Sequence, residues 1–219
     1  MRILVINPNS NETVTDGFAA ELAPFAGHGV DIETHTLAEG PFGVETQADI
    51  ESVVAPLVGL TTKRAGDVDA IVIACYSDPG LAACREVAPD IPILGIQESG
   101  VYTAMSLGDR FGVIALSDRS RKRHLRHLRQ LGVTTRLAGE RVAELSVAES
   151  AAGGEAVFAR LALAGRSLRD EDGADVVVLG CAGRATHRAA LQAELGVPVV
   201  DPVAAAVGTA LGLSVAQSG

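Results

Sequence analysis

Two cysteines close two apolar runs in the same way, in Ile71-Val72-Ile73-Ala74-Cys75-Tyr76-Ser77 and in Val176-Val177-Val178-Leu179-Gly180-Cys181-Ala182-Gly183. Thiols at equivalent ends of two strands form a candidate acid/base couple. One sulfur, as thiolate, would take a weakly acidic C–H proton from one face of a carbon. The other, as thiol, would return a proton to the opposite face of the planar carbanion. Such a pair titrates jointly, and its roles exchange when the reaction runs backwards. A single free cysteine is most often core packing, and Cys84, in Leu81-Ala82-Ala83-Cys84 with no counterpart in the second half, reads that way. The repeated context is what sets Cys75 and Cys181 apart.

Both runs are short, β-branched and followed by turn residues, the pattern of a strand covered on both faces. The thiols therefore stand at strand carboxyl ends, the edge where open α/β sheets bind ligands beside helix N-termini. That field is expected to lower a thiol pKa from its usual value of about 8.5. Strands are predicted at residues 2–6, 30–36, 70–74, 92–96, 111–115, 134–137, 175–179 and 198–200, with helical stretches between them. Asn9-Ser10-Asn11-Glu12 offers an N-cap three residues before a glutamate. Asp49 to Arg64 and Glu155 to Arg169 read as amphipathic helices, and Asp201-Pro202 opens a last, alanine-rich one.

This alternation means βαβ units and mainly parallel sheets. Cys75 and Cys181 are 106 residues apart, close to half of the 219-residue chain. The expected fold is α/β, with two similar parallel-sheet lobes related by pseudo-twofold symmetry and the active site in the cleft between them. The expected division is 1–97 plus 203–219 as the first lobe, carrying Cys75, and 98–202 as the second, carrying Cys181. The crossover falls near Gly95 to Gly100, and the final helix returns to the first lobe.

With 47% hydrophobic residues, 3% aromatic and no Trp, the core must be built from Ala, Val, Leu and Ile. A net charge of −9 argues against a nucleic-acid or anionic-membrane partner, since both are held mainly by excess Lys and Arg. Three cysteines without the spacing of a disulfide framework or zinc site point to the reducing cytoplasm. The first strand runs into Asn7-Pro8-Asn9 too soon for a signal peptide. No apolar run approaches the roughly 20 residues that span a bilayer. No Walker-type loop, dinucleotide glycine fingerprint or metal-spaced cluster is present, so a small-molecule substrate handled without cofactor or metal is expected. Apolar helices with few aromatics make a homo-oligomer the expected assembly.

The loop Asn7-Pro8-Asn9-Ser10 reads equally as a rim that hydrogen-bonds a polar ligand and as plain turn and cap chemistry. In Ser77-Asp78-Pro79-Gly80, Ser77 is a candidate substrate contact and Asp78 a cap for the next helix. Backbone N–H groups in the Tyr76-Ser77 and Ala182-Gly183 turns are candidate donors to a developing enolate. His187 reads as a surface helix residue, and the basic stretch Arg119 to Arg129 as a solvated helix face.

Ile6-Asn7-Pro8-Asn9-Ser10, Ala74-Cys75-Tyr76-Ser77-Asp78-Pro79-Gly80-Leu81 and Leu179-Gly180-Cys181-Ala182-Gly183 resemble the aspartate/glutamate/hydantoin racemase superfamily, and most of all its hydantoin and allantoin racemase branch. The resemblance spans essentially the whole chain. It implies two α/β lobes with the site between them, no cofactor, and Cys75 and Cys181 as the acid/base residues. It also implies substrate contacts from Asn9 and Ser10 and from the turns after each cysteine. The second motif departs from the Gly-Cys-Thr of glutamate and aspartate racemases and favours the hydantoin side. Tyr76-Ser77 stands where hydantoin racemases usually show Phe-Gly, Arg184 where they often have Met, and Ala115-Leu116-Ser117 where that branch tends to place threonines. These positions, Ser117 among them, line the pocket that the resemblance implies. The expected activity is racemisation of a 5-substituted hydantoin or related cyclic ureide. The alternatives are amino-acid racemisation of the aspartate/glutamate type, maleate-type cis–trans isomerisation with Cys75 as nucleophile, and a small-ligand binding protein on the same fold.

Overall fold

Ile3 and Val5 of strand β1 (Arg2–Asn7) pack in one apolar layer, Leu4 and Ile6 in another, and all four are fully buried. This period of two, apolar on both faces, is what a parallel strand between helical layers requires. The protein is described by a computed structural model covering residues 1–27, 29–182 and 185–217. In it β1 is joined by β2 (Asp31–Thr36), β3 (Ala70–Ile73) and β4 (Ile93–Gly95) in the order β2-β1-β3-β4, all parallel. A second parallel sheet holds β5 (Phe111–Ala115), β6 (Leu137–Val142), β7 (Val176–Gly180) and β8 (Val199–Val200) in the order β6-β5-β7-β8. The two orders are the same, so β3 and β7, the strands that lead to Cys75 and Cys181, hold the same place in their sheets.

Helices α1 (Glu12–Ala26), α2 (Gln47–Ser52), α3 (Val54–Arg64) and α4 (Leu81–Val87) accompany the first sheet. Helix α5 (Ile96–Leu107) carries the chain across to the second, which is accompanied by α6 (Asp118–Gln130), α7 (Val147–Ala152), α8 (Glu155–Asp170) and α9 (Ala185–Leu195). Helix α10 (Pro202–Gln217) lies along α5 and reaches back to α1, β3 and β4.

The central layer is one cluster shared by both sheets, including Phe18, Val72, Ile96, Phe111, Val113, Val178 and Val203. The outer face of the first sheet buries Leu57, Ile71, Ile73 and Cys84, and that of the second buries Leu161, Leu168, Leu179 and Leu191. A fully buried Val, Leu, Ile or Phe contributes roughly 1.5–3 kcal/mol. Because the middle layer is common property, neither sheet can separate without stripping the other. The two lobes form one continuous α/β body.

Three local expectations are corrected. Residues 134–136 make a single 3-10 turn and the strand runs over Leu137–Val142. This edge strand is only half-buried, so Glu140 and Arg141 fit within it although they hid it from a reading based on apolar runs. Asn11, not Asn9, caps α1, because the Asn9 side chain is committed to the turn before it. The helix expected over residues 49–64 is two helices, Gln47–Ser52 and Val54–Arg64, that meet at Val53.

Gly180 is fixed by space. A Cβ there would lie 2.6 Å from the Ile114 carbonyl oxygen, a backbone atom that cannot step aside. Gly180→Ala is therefore expected to destabilise the protein by roughly 1–3 kcal/mol and to displace the adjoining Cys181. Urea midpoints for the two proteins check it.

Candidate active site

Beyond β3 the chain folds back at once: Ser77 N and Asp78 N both donate to the Cys75 carbonyl. Asp78 takes a left-handed backbone conformation with φ of +42°, unusual for a residue other than glycine. Its buried carboxylate repays that strain. It accepts from Gln97 N and Glu98 N, each at 2.9 Å, and lies 3.4 Å from His127 Nε2. Asp78 thus caps α5, twenty residues downstream, and not α4, the helix expected from its sequence position; Gly80 precedes α4 without a side-chain cap. Gly95 makes room for it, since a Cβ at Gly95 would sit 2.2 Å from the Asp78 carboxyl carbon. The turn that bears Cys75 is bolted to the crossover helix.

His127 feels this arrangement. Burial pulls its pKa down, but the nearby Asp78 carboxylate, with Glu98 beyond, outweighs burial and leaves it above the ordinary value of about 6.5. A group raised on folding stabilises fully below its unfolded pKa, and that stability fades as pH climbs through the folded value. His127→Gln is expected to flatten the fall of the urea midpoint between about pH 6 and pH 8; a wild-type slope in the variant would contradict the assignment.

The N-terminal loop is ordered by a ladder of amides. Asn7 Nδ2 and Asn11 N donate to Asn9 Oδ1, and Asn9 N donates to Asn7 Oδ1. With both lone pairs of its oxygen engaged, Asn9 has its Nδ2 donors left to offer.

A cavity with about 60 Å³ of room for water-sized groups lies between the lobes. Asn9, Cys75, Tyr76 and Ser77 line it from one lobe, and Ser117, Cys181 and Ala182 from the other. Of the residues expected at the site, Ser10 is absent from the wall. Its N–H donates to Pro41 O and fastens the loop that brings Val44 and Glu45 to the cavity. Gly183 and Arg184 lie outside the described residues.

Four polar wall residues were missed by sequence reasoning: Glu45, Ser120, Arg123 and His124. Glu45 sits in an irregular loop that carries no signal. The others belong to the basic stretch read as a solvated face, which is corrected here: Ser120, His124 and Leu128 are buried at a spacing of four, with Arg123 beside them. That periodicity was the available signal, masked by the surrounding arginines. Arg123 Nη2 donates to Glu45 O, and Glu45 Oε1 accepts from Val147 N, which ties the loop of one lobe to α6 and α7 of the other.

Cys75 departs from the electrostatic expectation. Burial pushes its thiol up to about 12, and the nearby Cys181 and Asp78 charges push the same way against weaker opposition from the Ser77 N–H and Arg123. Tyr76 is also buried, and burial with the charges of Glu140 and Asp78 holds its phenol well above the ordinary range. Its ring meets His124 edge to face with centroids 5.1 Å apart. Among the described residues no three His, Cys, Asp or Glu side chains are grouped to hold a metal ion, and no helix is long and apolar enough to cross a membrane.

Matched α/β lobes that bring two equivalent strand-end cysteines to one interlobe cavity define a class of isomerase fold. The Asp/Glu/hydantoin racemase family matches residues 3–210. The hydantoin racemase of Paenarthrobacter aurescens is 37% identical over 94% of this chain and 88% of its own. The allantoin racemase from Klebsiella pneumoniae superposes with a TM-score of 0.93 at 30% identity, over 99% of this chain and 89% of that one. That from Pseudomonas fluorescens gives 0.92 at 29% identity, over 99% and 92%. The chain belongs to the Asp/Glu/hydantoin racemase family, and it is an enzyme of the isomerase class.

Proposed function

We propose that the protein is a cofactor-independent racemase that interconverts the enantiomers of a 5-substituted hydantoin or related cyclic ureide, with Cys75 and Cys181 exchanging the α-proton. The observation that carries this reading is the meeting of the two thiols, one from each lobe, in a single small cavity. The similarity to hydantoin and allantoin racemases supports the substrate class.

In the forward direction a thiolate removes the α-proton, and the C–H electron pair moves into the adjoining carbonyl. The ring flattens and its charge collects on oxygen. The Asn9 amide and the Ser77 and Ser117 hydroxyls are the donors at hand for that oxygen. The opposite thiol then protonates the other face.

The test is incubation with single enantiomers of 5-benzylhydantoin, allantoin and aspartate in heavy water, with optical rotation and α-proton exchange as readouts. Racemisation with exchange of a cyclic ureide is the expected result. Exchange of aspartate alone would move the reading to the amino-acid racemases. No exchange on any of the three would turn it towards isomerisation of an alkene or simple ligand binding.

A further inference from the structure

His124 and Glu140 form a buried pair that the two-thiol mechanism does not use. They reach each other from different elements, α6 and the edge strand β6, with Nδ1 2.8 Å from Oε1 and side chains only 3% and 5% exposed. His124 also lines the cavity that holds Cys75 and Cys181. A carboxylate at Nδ1 places the imidazole N–H there and leaves the lone pair on Nε2, and no residue is bonded to Nε2 among the described residues. An imidazole backed by a buried carboxylate, in one small cavity with two thiols, is an arrangement that can turn a thiol into a nucleophilic or basic thiolate.

We infer that the His124–Glu140 pair is the proton acceptor that charges one of the two cavity thiols, with His124 taking the proton and Glu140 positioning and stabilising the resulting imidazolium. The Sγ–H bond breaks, the Nε2–H bond forms, and the electron pair stays on sulfur, while Nδ1–H continues to donate to Glu140. The inference rests on the reading that the cavity thiols carry the reaction.

The surroundings suit a separated pair of charges. Arg123, the neighbour of His124 on α6, lines the same cavity and favours negative charge on Cys75. One turn further along α6, His127 is taken up with Asp78 from the turn after β3. From the same turn Tyr76 faces His124 as an un-ionised phenol. Glu45, from the loop before α2, has one carboxylate oxygen engaged by Val147 N. Among the described residues Glu140 is thus the one carboxylate bonded to the ring, and without an acceptor burial would leave Cys75 uncharged at neutral pH.

The test needs no substrate. Iodoacetamide modification of Cys75 and Cys181, read by peptide mass, is measured between about pH 5 and pH 10 in the wild type, His124→Gln and Glu140→Gln. Circular dichroism and the protection of buried Cys84 report folding. The expected result is one fast cysteine in the wild type, slowed about 10-fold or more at neutral pH in His124→Gln with its inflection moved to higher pH. Glu140→Gln retains an acceptor for Nδ1–H but not the charge, and is expected to move the inflection the same way by less. A wild-type profile in either folded variant overturns the inference, and Glu140→Gln carries the test alone should His124→Gln fail to fold. A shifted profile in a protein that racemises none of the three substrates upholds the inference and refutes the proposed function. Racemisation with an unshifted profile does the reverse.

Discussion

Replacing either Cys75 or Cys181 with serine is expected to cut racemisation of the responsive substrate by roughly 10²–10⁴-fold, the range of a lost general acid or base. A hydroxyl is a far weaker acid than a thiol and a poor partner for a carbon acid. Oxygen for sulfur is a small change in shape, and both residues line a cavity, so the fold should survive. The loss is asymmetric in a diagnostic way. Each variant keeps one sulfur on one face of the substrate, so remaining deuterium exchange should be confined to one enantiomer, proceed with retention, and switch enantiomer between the two variants. Cys84→Ser is the control. Its sulfur is fully buried on the outer face of the first sheet, so the variant should lose stability while its folded fraction keeps the wild-type rate. Unimpaired racemisation in either cavity variant would end the two-thiol mechanism.

Asp201→Asn is expected to stabilise the protein at pH 7–8 by about 1–3 kcal/mol. Asp201 lies just past β8 and starts α10, where its Oδ1 accepts from Ala204 N at 2.7 Å. It is 3% exposed, and Oδ2 has no hydrogen-bonding partner among the described residues. Burial raises its pKa to about 6, against the Ala204 and Val203 N–H groups and the charge of Arg188. With an unfolded pKa near 3.9, the folded state binds the extra proton between about pH 4 and pH 6. Stability therefore falls as pH rises through that window and stays reduced above it. Asparagine keeps the capping oxygen and never ionises. The gain should appear in urea midpoints at pH 8 and nearly vanish at about pH 4. An equal difference at both pH values, or a loss at pH 8, would contradict this account.

The strand-end position of the two cysteines was legible without coordinates because it is local. The apolar runs before Cys75 and Cys181 dictate buried parallel strands, and a parallel strand delivers the next residues of the chain to the carboxyl edge of its sheet. The repeat of that pattern over half the chain was enough for two lobes, matched in the strand orders β2-β1-β3-β4 and β6-β5-β7-β8. Turn and cap assignments were less secure, since a polar side chain can bond any N–H that the fold brings near. Asp78 was expected to cap its neighbour and instead caps a helix twenty residues on.

By itself, then, the amino-acid order determined the element types, the family and the two thiols, because each depends on residue type and short-range spacing. Only the tertiary structure decided what surrounds the thiols. Glu45 arrives from an irregular loop, His124 and Arg123 from a helix that looks solvated, and Glu140 from an edge strand with a charged sequence. Whether a charged residue faces water or a cavity depends on which surface its helix or strand lays against the rest of the chain. Sulfur ionisation obeys the same rule: burial and the charge of Cys181 from the other lobe are the leading influences on Cys75, and neither is written next to it in the chain.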